Sequence, residues 1–307
     1  MPAVTQSEFS LLAKQYGFER VYFTEPMKFD LGENRFNLVG DVKKDCPFAD
    51  SIAVLLYPYA PYTPDEYIPA YYIASNRAYH ASKEFIKELQ NRGVNACKVD
   101  IPVKMQLTLS HIGSVCRNSL IAFGEYGTRV VLLSAAVEGI MPEKYDEKNI
   151  GCGSCTACMD ACPTGAMDGN GFAFSRCMRF YMDSADHPDC IKDIQKTFMG
   201  CEICQYICPR NRHLAGIEPP DEIKRAFDLK NLISGNASKA REYVGRNFTG
   251  NGKLTAEAIV FAAKKGLYRD EIKKCMNSDF EPVRNAAAYA EKIFDKEQKR
   301  NENSAEN

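Results

Sequence analysis

Nine of the thirteen cysteines of this chain fall between Cys152 and Cys208. Such clustering points to metal, because a disulfide scaffold spreads its cysteines through a short secreted chain. The first run reads Cys152-x2-Cys155-x2-Cys158-x3-Cys162-Pro163. This is the bacterial-type ferredoxin spacing, in which three close thiolates wrap one [4Fe–4S] cubane and the fourth, before proline, reaches a second. A zinc knuckle would use two Cys-x2-Cys pairs or include histidine. The second run, Cys201-x2-Cys204-x3-Cys208-Pro209, lacks the first cysteine of the motif, and Phe198 stands in that place.

Each cubane takes a set of four cysteines. The two runs supply seven, so one ligand must come from between them, and Cys177 and Cys190 are the choices. By the crossing rule, Cys152, Cys155 and Cys158 hold one cluster with Cys208 completing it. Cys201 and Cys204 hold the other with Cys162 and either Cys177 or Cys190. The isolated Cys46, Cys97, Cys116 and Cys275 read as small buried hydrophobes. Two cubanes make an electron wire. A ferredoxin needs far fewer residues than 307, so the rest of the chain must hold the electron acceptor, the substrate or both.

The elements around the cysteines follow from periodicity. Ser7 to Tyr16 reads as a helix and Arg20 to Phe23 as a short strand. The apolar run Ser51 to Tyr57 and the run Arg129 to Ser134 read as buried strands. Three prolines between Tyr57 and Pro64 make that segment a loop, whose tyrosines offer rings for stacking on a nucleobase. Tyr72 to Arg92 has a helical apolar face that stops at Gly93. Val94 to Val99 reads as a strand with Asp100 at its end. Beyond Pro220 the pattern is helical, with Leu254 to Lys265 and Glu281 to Phe294 as the clearest segments.

The fold class expected is α+β, in a sequential layout. Residues 1–148 form an α/β-like domain for the electron acceptor or substrate, and 149–215 a ferredoxin-like double-cluster domain. Residues 216–300 form an α-helical domain, and 301–307 a disordered polar tail.

Apolar residues make up 45% of the chain, enough for a real core, and a net charge of −1 excludes wholesale attraction to polyanions. A local excess exists, since Lys224 to Arg300 holds 17 Lys or Arg against 10 Asp or Glu, and such a face steers a phosphate backbone or is simply solvated. The N-terminus has no basic-then-apolar leader and no stretch is long enough to span a bilayer. The expectation is a cytoplasmic monomer with no membrane partner.

At the cysteines the chain resembles the epoxyqueuosine reductase family. The resemblance is strongest over 118–214. It rests on Asn118-Ser-Leu-Ile, Glu125-Tyr-Gly, Cys152-Gly-Ser-Cys-Thr-Ala-Cys-Met-Asp-Ala-Cys-Pro-Thr-Gly-Ala166, Arg176-Cys177 and Gly200-Cys-Glu-Ile-Cys-Gln-Tyr-Ile-Cys-Pro-Arg-Asn211. It implies two [4Fe–4S] clusters and a cobalamin, and it selects Cys177 as the eighth ligand. It also implies reduction of epoxyqueuosine in tRNA to queuosine, with electrons from an external flavodoxin or ferredoxin. Lys98-Val99-Asp100 is similar to the family's segment carrying a proton-donating aspartate, so Asp100 is the implied acid. Tyr79, His80, Arg117 and Asn118 are the implied corrinoid-binding residues. His111 is a further histidine that could reach a metal, although the family leaves that axial position free. Ser278-Asp-Phe-Glu-Pro-Val-Arg284 is similar to the family's HEAT-like repeat. The chain departs from the family where Pro102 follows Asp100 by two residues and where Ile112-Gly-Ser-Val-Cys-Arg117-Asn118 replaces a glycine-rich segment. Those departures leave room for a divergent paralogue reducing another small molecule, or for a non-catalytic two-cluster carrier.

Overall fold

The computed structural model describes residues 4–32, 36–63, 67–147, 150–169, 171–182, 184 and 186–305. Its contacts form two compact units. The first comprises Met1–Pro61, Ala74–Cys158 and Ile207–Ala215, and the second Tyr62–Ile73, Met159–Tyr206 and Gly216–Asn307.

The first unit is built on a four-stranded sheet. Its strands are β1 (Arg20–Thr24), β2 (Ser51–Pro58), β3 (Ala96–Lys98) and β4 (Val130–Val137), in the order β1-β2-β4-β3. Every pairing is antiparallel. Helix α1 (Gln6–Gln15) precedes β1 and is closed by a capping box in which Thr5 and Glu8 satisfy each other's backbone N–H groups. Helix α2 (Ala70–Asn91) crosses from β2 to β3. That crossover leaves β2 and β3 running the same way, and β4 inserts between them, antiparallel to both. The α/β-like reading is therefore corrected to an antiparallel, α+β sheet. Alternation of strand and helix sets the crossover, but the pairing of β4 comes from residues far along the chain.

Strand β2 is one unbroken apolar run because both faces are covered. Ile52, Val54 and Leu56 join a core with Tyr22, Leu107, Ile112, Ile121 and Phe123. Elsewhere in the unit Phe9 meets both Phe23 and Phe85 edge to face at 5.1 Å, and Phe18 lies tilted against Phe85 at 6.0 Å. Each such buried ring contributes about 2 kcal/mol by leaving water. The tyrosines of the 57–62 loop are spent on packing. Tyr57 meets Phe18 at 5.7 Å, and Tyr62 is 5% exposed. Pro64 lies outside the described residues.

The second unit is mainly helical. Its centre is a helix spanning Lys253–Lys264, buried from Lys253 to Ala263 and packed against the long helix Glu281–Ala305. A small-residue stripe, Ala258, Ala262, Ala286, Ala287 and Ala290, is fully buried in these two helices. The last helix runs from Glu281 to Ala305 and so extends into the polar segment that begins at 301. No helix among the described residues is long and apolar enough to cross a membrane.

Candidate metal centre

The eight cysteines separate by unit. Cys152, Cys155, Cys158 and Cys208 all belong to the first unit, and Cys162, Cys177, Cys201 and Cys204 all to the second. The boundaries fall between Cys158 and Met159 and between Tyr206 and Ile207. Each run therefore sends its last cysteine into the unit that holds the other run's ligands, as the crossing rule requires.

In the first unit Cys158 is buried, which pushes its thiol above the ordinary range, and the charges of Cys152, Cys208 and Cys155 add to that. These four sulfurs thus share one neighbourhood. The loop that carries them is tied down locally. The Cys155 N–H donates to the Cys152 carbonyl at 3.0 Å. The Arg117 N–H donates to Cys152 Sγ at 3.3 Å, and its guanidinium to the Gly153 carbonyl at 2.8 Å. Arg210 donates to the Gly151 carbonyl. Cys208 leads into the helical turn Pro209–Asn211. Asn211 fixes that turn by accepting the Thr128 N–H at 2.8 Å and donating to Thr128 Oγ1 at 2.9 Å. Gly127 makes room for it. With φ at +52°, a Cβ there would stand 2.1 Å from Asn211 Oδ1 and 2.7 Å from the Arg210 carbonyl oxygen.

In the second unit Cys201 is pushed up to about 11, first by burial and then by the charges of Cys177 and Cys162. Cys201 packs on a small cluster of Met178, Met182 and Ile191. Cys177 stands at the start of the short helix Met178–Tyr181. Cys190 is exposed on the helix Asp189–Ile194. Burial raises the Cys162 thiol, but hydrogen bonds from Thr164, Ala166 and Gly165 outweigh it and hold the thiol below its ordinary value. The Ala166 N–H reaches Cys162 Sγ at 3.4 Å.

Phe198, in the vacant place of the motif, is fully buried. It packs against Phe261 at 4.9 Å, Tyr67 at 5.1 Å and Phe227 at 6.0 Å. Met199 follows at φ +56°, with its N–H donated to Glu257 Oε2 at 2.6 Å. This turn aims position 198 at the helical core.

The donor set fits iron–sulfur cubanes. No three His, Cys, Asp or Glu groups among the described residues converge on one point as a single ion demands. A cubane instead spreads its four thiolates over four iron corners, and bound metal deprotonates even thiols that burial holds protonated.

The remaining sequence candidates fall into two groups. Tyr79 and His80 touch edge to face at 5.4 Å on the exposed side of α2. Lys83 and Lys98 lie over the Tyr79 ring at 4.9 and 5.8 Å, and Lys98 is paired with Asp100. Asp100 has 65% of its side chain exposed. Arg117 and Asn118, expected at a corrinoid, stand beside Cys152, where Asn118 is buried and accepts the Leu120 N–H at 3.2 Å. His111 is exposed, in a turn with φ +56°. Sequence reasoning missed Cys116 and Arg210. Cys116 is buried and donates its S–H to the Ser114 carbonyl at 3.6 Å, and burial above all, then the charges of Cys152 and Cys208, pushes its thiol up to about 12. Only the bare presence of a cysteine before Arg117 could have flagged it.

Residues 151–211 match the family described as 4Fe-4S double cluster binding domain. The epoxyqueuosine reductase of Bacillus subtilis (strain 168) is 33% identical over 193 residues, which are 58% of this chain and 50% of that protein. Over that stretch the chain is similar to the epoxyqueuosine reductases. That of Lactococcus garvieae (strain Lg2) is 32% identical over 164 residues, covering 48% of this chain and 46% of the relative. The chain spans about half the length of these curated relatives. An uncharacterized protein in the gldA 3' region of Geobacillus stearothermophilus is 31% identical over 156 residues, covering 45% of this chain and 70% of that one. Among solved structures, the fold is that of B. subtilis epoxyqueuosine reductase with its catalytic loop swung out of the active site. The TM-score is 0.72 at 24% identity, covering 93% of this chain and 89% of the other. An epoxyqueuosine reductase with an epoxyqueuosine-modified tRNA-Tyr stem loop gives a TM-score of 0.74 at 22% identity, covering 94% and 90%.

Proposed function

We propose that this chain is a cobalamin-dependent reductase that converts epoxyqueuosine in tRNA to queuosine. The observation that carries the reading is the partition of eight thiols into two sets of four, one per unit, in a chain similar to the epoxyqueuosine reductases. The first cluster is held by Cys152, Cys155, Cys158 and Cys208, and the second by Cys162, Cys177, Cys201 and Cys204. When bound, the clusters supply a route for single electrons from an external flavodoxin or ferredoxin, and cobalamin supplies the strongly reducing centre the substrate needs.

The chain's own residues do the rest. Arg117 and Ala166 donate backbone N–H groups to ligand sulfurs, which favours the reduced, more negative cluster. Arg117 and Arg210 fix the 151–153 loop. The exposed Tyr79 ring, flanked by Lys83 and Lys98, offers a flat face and ammonium donors of the kind that a planar, amide-fringed corrin takes, with His80 at its edge. Asp100, exposed beside Lys98, is the group that hands a proton to the departing oxygen. The basic excess of the C-terminal helices draws in the tRNA phosphates. The sequential layout of 1–148, 149–215 and 216–300 is part of the same proposal, as is action as a cytoplasmic monomer.

The test is anaerobic purification with iron analysis and an absorption spectrum with and without added cobalamin, followed by turnover on tRNA that carries epoxyqueuosine. About eight irons per chain are expected, together with retained cobalamin and product. Failure to retain cobalamin sinks the proposal.

A further inference from the structure

Cys46 and Cys97 lie outside the cysteine runs and 51 residues apart, yet the fold of the first unit brings their sulfurs to 3.5 Å, where one S–H donates to the other sulfur. Cys46 ends the short helix Val42–Asp45 with its backbone already out of helical geometry, at φ −130° and ψ 73°. Its side chain is 7% exposed and sits in the core of the sheet, and Cys97 packs against that core. Cys97 is the middle residue of β3, opposite Ala136 of β4, at the edge of the sheet. The two segments meet again close by, where the Val39 N–H donates to the Asp100 carbonyl at 2.7 Å. The sulfurs are about 1.5 Å farther apart than in a disulfide, a gap that side-chain rotation at a helix end and an edge strand can close. The pair is also unequal. Cys97 is only half-buried and reachable from solvent, whereas burial first, and then the hydrogen bond and charge of Cys97, hold the Cys46 thiol up at about 11.

We propose that Cys46 and Cys97 form a dithiol modification site that closes to a disulfide by exchange with a low-molecular-weight disulfide of the glutathione class. The Cys97 thiolate attacks one sulfur of that disulfide, whose S–S bond breaks and releases one thiolate. The Cys46 thiol then gives up its proton and attacks the Cys97 sulfur, displacing the second thiolate. The two released thiolates take up the two protons of the protein thiols. Two electrons pass from the cysteines to the small disulfide, which leaves as two thiols. Burial makes Cys46 the resolving partner, since a small disulfide reaches it only through Cys97. The bridge closes a loop of about fifty residues and pins the strand that holds Lys98 and leads to Asp100. Its formation does not depend on the reductase reading, because neither sulfur is assigned to a cluster.

The experiment incubates the intact, cluster-loaded chain anaerobically with excess oxidised glutathione, denatures it in acid, blocks free thiols with N-ethylmaleimide and maps the peptides by mass spectrometry. The expected result is loss of label at both Cys46 and Cys97, with a Cys46–Cys97 peptide pair two hydrogens lighter than its separate parts. Both labels should return after dithiothreitol. In the Cys46→Ala variant, Cys97 should stop as the glutathione mixed disulfide. In Cys97→Ala, Cys46 should keep its label. Full label at both sites in the unsubstituted chain overturns the proposal and leaves packing as the whole role of the pair. Cys97 joined to any other cysteine also overturns it, and so does glutathione on Cys46 in the Cys97→Ala protein.

Discussion

Replacing Cys177 by alanine removes one of the four thiolates assigned to the second unit. A cubane left with three protein ligands opens a corner to solvent and is lost on handling, whereas the first unit keeps its full set. Iron should therefore fall by half, from about eight to about four atoms per chain. The fold should survive the change. Cys177 is half-buried, so truncation to alanine costs on the order of 1 kcal/mol. Cys190→Ala is the matched control, since Cys190 is exposed on the helix Asp189–Ile194 and its loss should leave iron unchanged. The assay is anaerobic reconstitution with iron and sulfide analysis, with circular dichroism to check the fold and paramagnetic resonance of the reduced protein to count clusters. Full iron in Cys177→Ala, or half iron in Cys190→Ala, would refute the ligand assignment and with it the reasoning from proximity to Cys201.

Further outcomes follow from the surroundings of the two sites. Gly127→Ala drives a Cβ into Asn211 Oδ1 at 2.1 Å and the Arg210 carbonyl at 2.7 Å, at φ +52°. It should destabilise the first unit by about 2–4 kcal/mol, seen as a lowered denaturant midpoint, and should loosen the cluster completed by Cys208. Phe198→Cys restores the full spacing of the second run, yet it should not return iron to the Cys177→Ala protein, because position 198 faces Phe261, Tyr67 and Phe227. The loss of a buried ring should also cost about 3 kcal/mol in chemical unfolding. Lys264 is held down to about 8 by burial, partly offset by Asp193. Its folded value lies below its unfolded one, so the unfolded chain binds the extra proton between them and stability should rise with pH from about 8 to about 10. Lys264→Met should flatten that rise in urea titrations run across the interval.

How much of this could be read from residues alone depends on how local each feature is. The run from Cys152 to Cys162 was legible because its ligand spacing is a property of a few consecutive residues, and the family match over 151–211 agrees with it. The helices from Gln6 to Gln15 and from Ala70 to Asn91 were legible within a residue or two, since an apolar face of period 3.6 is a local signal. The antiparallel insertion of Val130–Val137 between Ser51–Pro58 and Ala96–Lys98 was not. Nothing in a strand's own residues says which partner closes its ladder.

The cysteines draw the line between the two kinds of knowledge. Sequence by itself determined that the chain needs two sets of four thiolates, that the second run is one short, and that Cys177 or Cys190 must fill the gap. Those conclusions rest on spacing, and spacing is covalent. Only the tertiary structure decided that Cys201 is packed near Cys177 and Cys162 while Cys190 faces solvent, and that Phe198 left the ligand position to fill a core. It alone brought the turn that follows Cys116 to Cys152, where the Arg117 N–H meets the sulfur. Proximity across a fold is set by the packing of whole elements, and no short stretch of residues carries that information.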